Sequence, residues 1–83
     1  MKTELRQKFD ANYSDAMNCL ADAELGVPAT VGIMVAADGT IENWGCKEEE
    51  LRGTDACKCM VEPFLDETYW PTQNGFTFQH TYQ

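Results

Sequence analysis

ATVGIMVAADGTIENWGC, residues 29–46, is the stretch from which the fold is read. Val31, Ile33 and Val35 alternate with Thr30, Gly32 and Met34, the two-residue period of a strand with one covered face. Asp38-Gly39 comes next, and glycine tolerates the positive φ that a tight turn demands. Thr40 to Cys46 then returns as the second strand of a hairpin.

Upstream, residues 3–24 predict a single amphipathic helix. At 100° per residue, Leu5, Phe9, Tyr13, Ala16, Leu20 and Ala23 fall in a stripe about 80° wide, with Asp10, Asp15 and Asp22 off it. Cys19 sits at the edge of the stripe. Gly26 and Pro28 predict its end: a C-cap glycine, then a residue that cannot continue a helix. Downstream, Lys47 to Arg52 is polar, and Thr54 reads as the N-cap of a second helix running from Asp55 towards Glu67. Pro63 is expected to kink or split it. Tyr69-Trp70-Pro71 is extended, because a residue before proline avoids the α region. Asn74-Gly75 turns the chain into a last strand, Phe76 to Tyr82. Phe76, Phe78, His80 and Tyr82 share one face of it; Thr77, Gln79 and Thr81 share the other. The order α-β-β-α-β predicts an α+β fold in two layers: a three-stranded antiparallel sheet with two helices packed on one face.

Eighty-three residues make one domain, 1–83, near the size where a single core is marginal. A hydrophobic fraction of 43 % argues for a packed globule. The net charge is −8, spread along the chain without an acidic tail. Such a surface repels nucleic acid and anionic membrane. The partner expected is therefore a protein with a basic or strand-donating surface, with no direct nucleic-acid contact and no membrane insertion. No run approaches the roughly 20 apolar residues of a membrane span. MKTELRQKFD lacks the apolar core of a signal peptide.

The four cysteines allow three states. In a disulfide framework, Cys57 and Cys59 are too close to bond each other easily, so each takes a separate partner. The pairing expected is Cys19 with Cys59, stapling the helices, and Cys46 with Cys57. A zinc site would use Cys46, Cys57, Cys59 and His80, though Cys-x-Cys is shorter than zinc spacings favour. The third state is four buried thiols acting as small hydrophobes.

Catalytic signatures are missing. His80 is the single histidine, set between Phe78 and Tyr82, and reads as a core or boundary residue. There is no Gly-x-Ser-x-Gly, phosphate-binding glycine loop or His-Glu-x-x-His. No cofactor is expected. Glu48, Glu49, Glu50, Asp55, Glu62, Asp66 and Glu67 form the densest acidic region. It reads as a solvated surface, or as a row of carboxylates imitating phosphates to occupy a basic groove.

Cys19, Val31 to Val35, Asp38-Gly39, Ile41, Cys59, Trp70-Pro71 and Phe76 with Phe78 together resemble the TonB C-terminal domain, more closely its cysteine-containing AgmX/PglI-type relatives. The resemblance spans Cys19 to Tyr82, and departs at Pro63 and at the extra cysteines Cys46 and Cys57. It implies a docking module without catalysis, in which a partner peptide adds as a strand to a sheet edge. Thr77, Gln79 and Thr81 on the last strand are then the expected docking residues. The alternative expectation is a small acidic inhibitor of the phage type, aimed at a bacterial defence complex in the manner of an anti-CRISPR protein. There Glu48, Glu49, Glu50 and Asp55 would meet the basic surface. A trimmed TonB-like domain would be periplasmic; a chain starting natively at Met1 would act in the host cytoplasm.

Overall fold

β1 (Ala29–Val35) is the central strand of a three-stranded antiparallel sheet, between β2 (Ile41–Cys46) and β3 (Phe76–Tyr82). The computed structural model describes residues 2–83. Val31 and Ile33 are fully buried and Val35 is nearly so, as the alternation in β1 requires. β1 pairs with all seven residues of β3 in unbroken register, from Ala29 opposite Tyr82 to Val35 opposite Phe76. The hairpin is longer than a two-residue turn. Gly39 N–H donates to the Ala36 carbonyl (2.9 Å) and Ala36 N–H to the Thr40 carbonyl (2.8 Å). Gly39 takes φ 92°, so the loop is a turn closed by a left-handed residue. A side chain there would also collide with the Tyr69 carbonyl.

Three helices, α1 (Lys2–Ala11), α2 (Tyr13–Asp22) and α3 (Asp55–Leu65), form the second layer. The predicted first helix is thus two, parted at Asn12, whose N–H is shared between the Lys8 and Phe9 carbonyls at 3.2 and 3.1 Å. A straight continuation of the stripe would point Tyr13 and Ala23 inward. Instead Tyr13 is 44 % exposed, Ala23 is exposed, and the break turns Ala16, Cys19 and Leu20 into the core. The cap is also displaced from Gly26. Glu24 holds φ 58°, while Glu24 N–H donates to the Ala21 carbonyl and Leu25 N–H to the Leu20 carbonyl. That pair of bonds closes the helix end at Glu24.

α3 starts as expected, with Thr54 Oγ1 accepting from Cys57 N–H at 3.3 Å. It runs through Pro63 without splitting and stops at Leu65. Pro63 lies in the last turn, so the bond it removes is close to where the helix ends anyway. The core gathers Leu5, Phe9, Leu20, Val31, Ile33, Met60, Val61 and Phe64 between helices and sheet. Phe9 stacks on Phe64 with ring centroids 4.0 Å apart. Tyr82 O–H donates to the Phe9 carbonyl (3.1 Å), locking the end of β3 to α1.

Two disulfides tie α3 to its neighbours. Cys19–Cys59 joins α2 to α3 with Cα atoms 5.8 Å apart. Cys46–Cys57 joins β2 to α3 at 6.1 Å.

Candidate functional site

The direction of the backbone groups in β3 follows from one bond outside the ladder. Lys47 N–H donates to the Thr30 carbonyl at 3.0 Å, so the main-chain groups of Thr30 face the β2 side. These groups alternate sides along a strand, so those of Val31, Ile33 and Val35 face β3. Their partners His80, Phe78 and Phe76 must face back. The N–H and C=O of Thr77, Gln79 and Thr81 therefore point away from the sheet. All three residues are exposed. None of their outward groups has a partner among the described residues.

The two edges differ. β2 carries an irregularity opposite Met34/Val35, holds the charged Glu42, and satisfies Trp44 N–H with Asn43 Oδ1 at 2.9 Å. Bulges, charges and capped donors are the usual means of blunting an edge. β3 has none of them: its seven residues contain no Asp, Glu, Lys, Arg or Pro, and its register is unbroken. A cleft of about 500 Å³ flanks it, lined by Thr3 and Arg6 of α1 and by Phe78, Gln79, His80 and Thr81. Thr3 and Arg6 were not singled out by sequence, because nothing local shows that α1 runs beside the last strand.

His80 lies on the covered side of β3. Its ring stands 5.5 Å from Phe9 and 4.7 Å from Tyr82, and its Nε2 lies 3.3 Å from Asp10 Oδ1. Burial pushes the imidazole below its ordinary value, the Asp10 carboxylate pulls it back up, and the Arg6 guanidinium pushes it down; the net shift is downward. The Tyr82 hydroxyl is pushed up to about 12, mainly by burial.

The acidic residues are not equivalent. Glu48 folds over the end of β1 and accepts from Thr30 N–H (2.6 Å) and from Thr30 Oγ1 (2.9 Å). Thr30 Oγ1 also lies 2.9 Å from Thr81 Oγ1, so this contact spans the sheet. Burial raises the Glu48 carboxyl, the Thr30 bonds lower it, and the net shift is downward. Glu67 pairs with Lys8 at 2.9 Å. Glu49, Glu50, Asp55, Glu62 and Asp66 are exposed, and their side chains have no ion-pair partner among the described residues. Asp55 opens α3, where a negative charge suits the helix dipole.

The sulfurs of Cys46, Cys57 and Cys59 are taken up in the two bridges. Among the described residues no three His, Cys, Asp or Glu side chains stand together as a metal site. No described helix is long and apolar enough to cross a membrane. Compared with protein-family models, curated proteins and solved structures, the chain matches none.

Proposed function

We propose that the protein is a non-enzymatic docking domain that captures an extended segment of a partner protein at the β3 edge, in the manner of TonB-like domains. The observation that carries this reading is the contrast between edges: β2 is guarded, whereas β3 turns the main-chain groups of Thr77, Gln79 and Thr81 outward. An added strand would satisfy those groups and place alternate side chains in the cleft beside Thr3 and Arg6. Main-chain bonds would supply the affinity and the cleft the selectivity.

Proline substitution tests this directly, because proline cannot donate to an added strand. The partner recovered from the native host on immobilised protein should bind Gln79→Pro at least about tenfold more weakly, a loss near 1.4 kcal/mol. Gln79→Ala keeps the N–H and should bind far more tightly than Gln79→Pro. Equal binding by a folded Gln79→Pro variant would sink the proposal.

A further inference from the structure

The face of the sheet turned away from the helices carries a second surface. The β1–β2 register sets Gly32 beside Gly45 there. A Cβ at Gly45 would meet nothing within 4 Å, and one at Gly32 would lie in ordinary contact, 3.5 Å from Gln79 Cγ. Neither residue has the positive φ that calls for glycine. Packing within the chain thus gives no reason for glycine at either position, although glycine weakens a strand. Interior strand glycines recur where another group must approach the backbone closely.

The glycine pair floors a depression of about 390 Å³, edged by Met34, Lys47 and Arg52, while Trp44, opposite the buried Ile33, turns its indole to the other face. Met34 is 43 % exposed, unusual for a residue of its size. No acidic side chain lines the depression, in a chain with fourteen acids against six bases. Lys47 and Arg52 have no ion-pair partner among the described residues. Glu48, whose charge acts on Lys47, is already held by Thr30.

We infer that this depression receives an aromatic side chain lying between acidic neighbours on an extended segment of a protein partner. The ring lies flat on the uncovered peptide planes of Gly32 and Gly45. The Met34 thioether makes a favourable contact with it. Lys47 and Arg52 meet the flanking carboxylates through charge-assisted hydrogen bonds. The surface is independent of the outward main-chain groups of β3, so it stands or falls without them.

The test is a series of ¹H–¹⁵N correlation spectra of the intact, disulfide-bonded protein titrated with blocked tripeptides. Tryptophan between two aspartates should shift the Gly32 and Gly45 amides saturably, with a Kd of about 1 mM or tighter. Tryptophan between two lysines, and alanine between two aspartates, should bind at least about fivefold more weakly. Gly45→Val fills the floor and should weaken binding about tenfold or more, while strand propensity holds or raises the unfolding midpoint. Should Gly45→Val fold poorly, Gly45→Ala adds only a methyl that meets nothing, and the same loss is expected. Lys47→Gln with Arg52→Gln should abolish the preference for the aspartate peptide. Silent Gly32 and Gly45 amides, equal binding of the lysine peptide, or undiminished binding by a folded Gly45 variant each overturns the inference. Free indole-3-acetate binding as tightly as the tripeptide would overturn the peptide as occupant.

Discussion

Glu24 holds the one left-handed backbone position occupied by a residue other than glycine among the described residues, at φ 58°. A Cβ in that region is strained by about 1–2 kcal/mol, part of which glycine gives back in chain entropy. Glu24→Gly should therefore stabilise the protein by about 0.5–1 kcal/mol, a rise of several degrees in the unfolding midpoint for a chain this short. Gly26→Ala should do little, since Gly26 neither caps the helix nor crowds a neighbour. A lower midpoint for Glu24→Gly would show that its side chain has a role the helix end does not account for. The sequence pointed to Gly26 because glycine is the usual cap; the true cap depends on where Leu25 must turn to pack, which is a tertiary demand. His80 and Glu48 act in separate pH windows. The folded His80 titrates below its unfolded value near 6.5, so the unfolded chain binds the extra proton and stability rises with pH up to that value. His80→Gln should flatten this limb below about pH 6.5. The folded Glu48 titrates below 4.5, so its contribution is present above that pH and is lost as pH falls through the folded value. Glu48→Gln should cost about 1–2 kcal/mol at pH 7 and remove that acid limb, while Glu49→Gln stays within about 0.5 kcal/mol. Denaturant unfolding at each pH measures all three, and identical curves for Glu48→Gln and Glu49→Gln would refute the Thr30 clamp.

Among the elements, α3 is tied twice. Cys19–Cys59 closes a separation of 40 residues and Cys46–Cys57 one of 11. On chain entropy alone these bridges stabilise by about 4 and about 3 kcal/mol. Replacing Cys19 and Cys59 by serine should thus lower the unfolding free energy more than replacing Cys46 and Cys57. Intact mass with and without reductant should register both bridges, and the reverse order of stability would point to native contacts outweighing loop length. What the sequence revealed about these elements was local. The alternation in β1 and β3, the Asp38-Gly39 turn and the Thr54 cap each depend on neighbours a few residues away, and each stands in the structure. The break at Asn12 was not legible because the helical stripe continues through it. Only the need to face α2 against α3, and α1 against β3, decides the bend. Pro63 was misleading for the opposite reason: proline's cost depends on how much helix follows it, and here only Phe64 and Leu65 do. At the site, Thr77, Gln79 and Thr81 could be assigned one face from their spacing. Which way their main-chain groups point required the register with β1.

Over the whole molecule the charge is uneven in a way that bears on binding. All fourteen acidic residues precede Thr68, and residues 68–83 contain no Asp, Glu, Lys or Arg. The β3 edge is thus the least charged part of a chain carrying −8. This separates two modes of association. A complex built on the exposed Glu49, Glu50, Asp55, Glu62 and Asp66 would be steered by long-range attraction to a basic surface. Its affinity would fall steeply as the Debye length shrinks from about 10 Å at 0.1 M salt to about 3 Å at 1 M. Glu49→Gln with Glu50→Gln would then slow association more than it hastened dissociation. A strand added at β3 is held by short-range main-chain bonds, to which salt matters little. Between 0.1 and 1 M the dissociation constant of the complex should change by no more than about twofold, with the glutamate variants unchanged and Gln79→Pro weakened. A salt series on the purified complex, run beside the proline and glutamine variants, decides between them. A steep salt slope with Gln79→Pro still bound and the glutamate variants weakened would exclude the captured strand and leave the acidic surface as the docking face.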